Sequence, residues 1–194
     1  MAVDRRENII DAAEQSFAAF GYKATTMDSV ARIANVGKGT IYTFFRNKED
    51  LFAEIMDRFI QKLKHVAFEA ISRETDFFAR IHGALYGVLE FRKEHQLTIK
   101  LTQEIKEVGT RQAQEALAKV EDAILAFLDT LIQTAIDNRH IRPCDPKLAA
   151  FVVLHLYIAL VFDWEQRHAP LSSDEIAKLF EDYLVKGLAF SATE

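Results

Sequence analysis

The residues best suited to chemistry lie between positions 23 and 48, and that chemistry is hydrogen bonding to a polyanion. Five basic residues, Lys23, Arg32, Lys38, Arg46 and Lys48, share this stretch with a single acid, Asp28. Hydroxyl groups are interleaved with them at Thr25, Thr26, Thr40, Tyr42 and Thr43. Cationic side chains neutralise phosphate, and hydroxyls reach phosphate oxygens or base edges. The whole chain carries a formal net charge of −5. A local positive excess on an acidic chain is an electrostatic footprint for nucleic acid.

Two short helices must position these groups. Thr25 and Thr26 precede the helically spaced Met27, Val30, Ala31 and Ala34, which predicts an N-cap followed by an amphipathic turn or two. Asn35 tolerates the left-handed backbone that ends such a helix, and Gly37 is placed to cap the next. Residues 38–45 predict a second helix that buries Ile41 and either Phe44 or Phe45, while Lys38, Thr40, Tyr42 and Thr43 face outward. Two short helices joined by a tight turn make a helix-turn-helix, whose second helix enters the DNA major groove. Thr25, Thr26, Lys38, Thr40, Tyr42, Thr43 and Lys48 are therefore the candidate contacts to double-stranded DNA. A helical pair with no DNA role would share the buried pattern; the basic outer face is what separates the two readings.

Residues 9–52 also resemble the DNA-binding domain of the tetracycline-repressor (TetR) family. Phe17, Gly21, Thr25, Ala31, Lys38-Gly39-Thr40, Tyr42, Phe45, Lys48 and Leu51 fall in register with its motif. Two positions depart from it: the family often has Gly where this chain has Asn35, and Ser where it has Gly37. The resemblance implies a phosphate contact at Lys48 and an inducer held in the C-terminal domain. It further implies a homodimer formed through the last two helices as a four-helix bundle.

Composition agrees with an all-α fold. The 194 residues are 49% hydrophobic, with only 7 Gly and 3 Pro to interrupt helices, and no stretch alternates in the manner of a strand. One cysteine, Cys144, excludes an internal disulfide and fits a reducing cytoplasm. The polar first seven residues predict no secretory signal. The expected organisation is an N-terminal three-helix DNA-binding domain over 1–48 and a C-terminal helical domain for effector binding and dimerisation over 49–194.

Within the second domain, helices are predicted near 48–71, 75–93, 97–107 (ended by Gly109), 111–138, 146–168 (opened by Asp145 as cap and Pro146 in the first turn) and 173–190. Residues 148–162 are apolar except for His155. That run is shorter than the ~20 residues of a membrane span, so it predicts a helix buried on all sides rather than a membrane protein. A second copy of the chain is the natural cover for its outer side. Leu154, Ile158, Leu179, Tyr183 and Leu184 are the expected dimer contacts.

Aromatic residues are abundant outside the DNA-binding head. Phe59, Tyr86, Phe127, Tyr157 and Trp164 fall on different predicted helices and are candidates to line a cavity, with Gln103 or His155 to orient a ligand. An ordinary aromatic core is the competing reading. A cavity of this kind suits a small, largely apolar effector such as a fatty acyl compound or a hydrophobic drug. Gly83 and Gly87, four apart, remove volume from one helix face and suit close helix packing. No P-loop, nucleophile elbow or H-E-x-x-H is present, and the polar group Asp163, Glu165 and His168 reads as a solvated helix end. No catalytic residue, metal or cofactor is therefore expected. The reading is a dimeric repressor released from a palindromic operator by its effector. Its alternatives are a ligand-independent DNA-binding or architectural protein and, remotely, an enzyme with a DNA-binding head.

Overall fold

The computed structural model describes residues 5–73 and 76–185, and every regular element among them is helical. Helix α1 (Arg5–Ala24) buries Ile9, Ile10, Ala13 and Phe17 and bends at Gly21. Phe20, three residues after Phe17 and so at helical spacing from it, is 56% exposed. Gly21 and Tyr22 take the inward positions instead, because the chain leaves helical geometry there. Helices α2 (Met27–Ile33) and α3 (Lys38–Phe44) follow, and then the long α4 (Lys48–Arg73). Next come α5 (Phe77–Glu94), α6 (Gln96–Val108) and α7 (Arg111–Asp137). Gly109, in the left-handed region, ends α6 where its sequence position predicts.

Helix α8 (Pro146–Ile158) starts as Asp145-Pro146 predicts: the Asp145 carboxylate accepts from the Lys147 and Leu148 N–H groups, and proline takes the first turn. The expected single α-helix over 146–168 is instead α8 followed by a wider π turn, Ala159–Asp163, and a 3₁₀ turn, Trp164–Gln166. Together they make a 21-residue apolar helical run, longer than the apolar core suggested. By length and composition alone this run would cross a membrane, as would the core helix of many globular proteins. Helix α9 (Ser173–Phe180) opens on a reciprocal Ser172–Glu175 capping box and continues as a π turn, Glu181–Val185. The rest of the expected 173–190 helix lies outside the described residues.

The chain forms two compact units. One takes the N-terminal segment to Lys62 together with Arg92–Val120; the other takes Leu63–Phe91 and the chain from Glu121 onward. In the first, Phe17, Ile55, Phe59, Leu97 and Leu101 are buried from α1, α4 and α6. Each such side chain stabilises by roughly 1.5–3 kcal/mol when fully buried. Arg58 ties α4 to α1 through a two-pronged pair with Glu7, at 2.7 and 2.8 Å. In the second unit, Leu85, Leu128, Leu154, Tyr157 and Phe180 are buried. There Gly83 and Gly87 let α5 pass close to α4: a Cβ would stand 3.8 Å from Ala70 and 3.4 Å from Val66. This is the close packing that their spacing suggested.

Candidate nucleic-acid interface and effector cavities

Helices α2 and α3 form the helix-turn-helix, and its local chemistry follows the sequence closely. Thr26 caps α2 in a reciprocal box with Ser29. Asn35 takes the left-handed conformation at φ 52°, and the Val36 N–H closes the turn onto the Ala31 carbonyl at 3.0 Å. Gly37 caps α3 with an ordinary extended backbone and no side-chain bond, so nothing in its own geometry demands glycine. Ile41 and Phe45 are buried, whereas Phe44 is 41% exposed. Helix α3 stops at Phe44. The extended Phe45 then turns its ring inward, under the Arg6 guanidinium 5.4 Å away.

The outward face of α3 carries Lys38, Gly39, Tyr42 and Thr43, with Thr40 half-buried beside them. No acidic residue belongs to this helix. Tyr42 is 46% exposed, and the Thr43 hydroxyl donates back to the Gly39 carbonyl at 3.1 Å. Lys38 pairs with Asp28 on α2 at 2.9 Å, and that hydrogen bond and the carboxylate's charge push the lysine pKa up. Asp28 thus competes with any phosphate for Lys38. We expect Asp28→Asn to strengthen binding to all duplexes alike, by about two- to fivefold at low salt. Lys38→Ala should weaken binding and lower the salt slope by about 1, as measured by anisotropy titration over a salt series.

The remaining predicted contacts are partly committed to the protein. Thr25 is buried, donates to the Gly21 carbonyl at 2.8 Å and lies 3.1 Å from the Ser16 hydroxyl, so it braces the turn between α1 and α2. Lys48 donates to the Tyr22 carbonyl at 2.9 Å and sits 4.1 Å from the centre of the Tyr22 ring. Its ammonium keeps two further donors for an external anion. Tyr22 in turn donates to Glu49 at 2.6 Å; burial and that carboxylate push the phenol's pKa up.

Two cavities lie among the described residues of the second unit. The first, of 280 Å³, is lined by Ile71 of α4, Phe77, Phe78 and Ile81 of α5 and Leu131 and Ala135 of α7, with Asp76, Arg80, Thr134, Asn138 and His140 as its polar lining. The second, of 380 Å³, lies between α5 and α9 among Phe78, Ala79, His82, Ala177 and Phe180, with Asp76 and Glu181 alongside. His82 stands at a polar junction: its Nδ1 is 2.7 Å from the Tyr157 hydroxyl and its Nε2 3.1 Å from the Ser173 hydroxyl. Tyr86 stacks on the same imidazole with centroids 5.8 Å apart.

Of the residues expected to line a pocket, Tyr86 and Tyr157 are therefore brought together, around a histidine not singled out from the sequence. Tyr157 is wholly buried, and burial pushes its phenol's pKa up. Phe127 is half-buried on α7. Phe59 lies in the core of the first unit, edge-on to His95, and Gln103 is exposed on α6. His155 bonds the Phe151 carbonyl on the outer side of α8 and approaches Glu121. Trp164 is exposed, stacks on His168 and donates to the Ala169 carbonyl, because the π turn and the following 3₁₀ turn carry it out of the helical register. None of the seven lines either cavity. Phe77, Phe78, Ile81 and His82 of α5 were not singled out from the sequence; the packing of α7 and α9 against them encloses the space.

For the expected dimer contacts, Leu154 is buried within its own chain, Ile158 and Leu179 are half-buried, and Tyr183 is 72% exposed. The Leu184 side chain lies outside the described residues. The outward side of α8 exposes Leu148, Phe151 and Val152.

Two family models match successive parts of the chain. A model described as "Bacterial regulatory proteins, tetR family" matches residues 9–55, and one described as "Tetracyclin repressor-like, C-terminal domain" matches residues 74–188. The HTH-type transcriptional regulator YhgD of Bacillus subtilis is 53% identical over 189 residues, covering 97% of this chain and 99% of that protein. The fatty acid metabolism regulator protein of the same organism is 25% identical over 186 residues, 93% of each chain. Among solved structures, the fatty acid degradation regulator FadR from Bacillus halodurans superposes with a TM-score of 0.67 at 20% identity, over 94% of this chain and 95% of that one. At that identity the likeness speaks for the fold.

Proposed function

Because the chain belongs to the tetR family of helix-turn-helix transcriptional regulators, we propose that it is a homodimeric repressor released from a palindromic operator by a small, largely apolar effector. The observation that carries this reading is the acid-free outer face of α3, with Lys38, Tyr42 and Thr43 presented to solvent. Lys38, Tyr42 and one remaining donor pair of Lys48 hold phosphate, while Thr40 and Thr43 approach base edges. Thr26 lies at the start of α2, where exposed N-terminal groups meet the backbone of the duplex. Residues 1–48 are the reading head, and the chain from 49 onward carries effector binding and dimerisation.

The exposed Leu148, Phe151 and Val152, with Tyr183 beyond α9, form the dimer face. An apolar helix side of this kind is covered by a second copy of itself across a two-fold axis, which also brings two reading heads to the two halves of a palindrome. A chain whose partner is operator DNA works in the cytoplasm, with no membrane.

For the effector, the 280 Å³ cavity favours an acyl compound. Much of its lining is hydrocarbon and aromatic, while Arg80 supplies positive charge, and Thr134, Asn138 and His140 hydrogen-bonding groups, for a carboxylate or thioester head. Asp76, also in that lining, caps α5, its Oδ2 accepting from the Phe78 and Ala79 N–H groups. The similarity to a fatty acid metabolism regulator points the same way. The α5–α9 cavity, with Asp76 and Glu181 beside it, suits an anion poorly. Releasing DNA 100-fold requires a preference of about 2.7 kcal/mol for the non-binding state. A few methylenes buried differently in the two states, at about 0.8 kcal/mol each, supply it.

The test begins with a duplex recovered from a random-sequence library by the wild-type protein. Fatty acids and acyl-coenzyme A thioesters of graded chain length are then titrated against that complex. We expect release, with Arg80→Ala demanding about tenfold more effector while leaving operator affinity unchanged. Recovery of no preferred duplex would end the repressor reading. If a duplex is recovered but no acyl compound or hydrophobic drug releases it, ligand-independent regulation becomes the better account.

A further inference from the structure

Leu97, Leu101 and Glu104 recur at helical spacing on the side of α6 that packs against α1, and all three are buried. A carboxylate on such a face costs stability unless it is hydrogen-bonded. Glu104 is satisfied by backbone: both of its oxygens accept from the Lys23 N–H, at 3.1 and 3.3 Å. Its Oε2 also fills the space beside Gly21 where a Cβ would stand. Gly21 itself has φ 78° and ψ −179°, a conformation essentially restricted to glycine.

This turn is the hinge point between α1 and the helix-turn-helix. The Gly21 carbonyl accepts the Thr25 hydroxyl, Thr25 meets Ser16, and the next residue, Thr26, caps α2. Hydrogen bonds at Lys23, Gly21 and Thr25, joined by the short backbone between them, thus link an α6 side chain to the residue that caps the DNA-reading motif. We infer that Glu104 is a positioning residue for operator recognition: it holds the Gly21–Lys23 backbone and so sets the angle at which α2 and α3 leave α1. It touches no DNA itself.

Three variants test this: Glu104→Ala removes the acceptor, Glu104→Gln keeps one oxygen in place, and Glu104→Asp keeps the charge but withdraws it by one methylene. The first readout, independent of DNA, is hydrogen exchange at the Lys23 amide. It should quicken at least about tenfold in the Ala variant and stay protected in the Gln variant. The second is binding to the library-selected duplex and to a duplex of scrambled sequence. The Ala variant should lose selected-duplex affinity on the order of tenfold, equivalent to about 1.4 kcal/mol. It should bind the scrambled duplex within about twofold of wild type, because phosphate contacts persist. Gln should restore most of the selected-duplex affinity. If Glu104→Ala does not fold, the same comparison is made with Glu104→Asp, which should fall between Ala and wild type. Unchanged Lys23 protection, or lost protection with selected-duplex affinity intact, would overturn the assignment. Equal losses on both duplexes would also overturn it, since they would mark a general structural role.

Discussion

Phe151→Glu is expected to turn the dimer into a monomer and to lower operator affinity by about 100-fold or more, since a single half-site binds weakly. Phe151 is 49% exposed within its own chain and stacks on His155 with ring centroids 4.0 Å apart. A charge there leaves the monomer's core intact. Across a two-fold interface it appears twice, and burying each carboxylate without a partner costs several kcal/mol. Sedimentation velocity should show monomer at concentrations where wild type is dimeric, with thermal unfolding still cooperative. Phe151→Leu should remain dimeric, because it keeps the apolar surface. A fully dimeric Phe151→Glu would remove α8 from the interface and require another face for the partner.

Gly21→Ala should destabilise the protein by about 3 kcal/mol or more, more than any other single methyl added at a glycine discussed above. Two costs combine. The backbone conformation at φ 78°, ψ −179° costs a non-glycine residue about 1–3 kcal/mol. The new Cβ also displaces the Glu104 carboxylate from the Lys23 N–H, leaving a buried charge under-satisfied at about 1–3 kcal/mol. For a chain of this size the melting temperature should fall by about 6–12 °C. Gly109→Ala is the contrast. Gly109 is also left-handed, at φ 68°, but nothing lies within 4 Å of its Cβ position, so the backbone cost of about 1–2 kcal/mol stands alone. Circular dichroism melts of the two variants measure the difference. Equal losses would mean that Glu104 yields its place freely.

What could be read from the chain and what could not divide along a physical line. Caps, turns and breaks were legible because they depend on a few adjacent residues. Thr26 as the cap of α2, Asn35 at positive φ, Gly109 after α6 and Asp145-Pro146 before α8 all stand where their local chemistry places them. The basic outer face of α3 was legible for the same reason: a seven-residue helix with Ile41 inside must present Lys38 and Tyr42 outside.

Choices made by distant neighbours were not legible. Helical spacing admitted either Phe44 or Phe45 as the buried ring, and the extended backbone after α3 chose Phe45. The aromatic residues 59, 86, 127, 157 and 164 were compatible with one cavity, yet a π turn carries Trp164 to the surface and α6 packing takes Phe59 into another core. The cavities lie instead around Phe78, where α5 meets α7 and α9. Glu104 is the sharpest case: in sequence it is one acid on an amphipathic helix, and only its meeting with Gly21, 83 positions earlier, gives it a backbone to hold. By itself the sequence determined the all-helical character, the helix-turn-helix and its charged face, because periodicity, capping and local charge act over a few residues. The tertiary structure alone decided which side chains enclose space and which brace the reading head, because those roles depend on contacts between residues far apart in the chain.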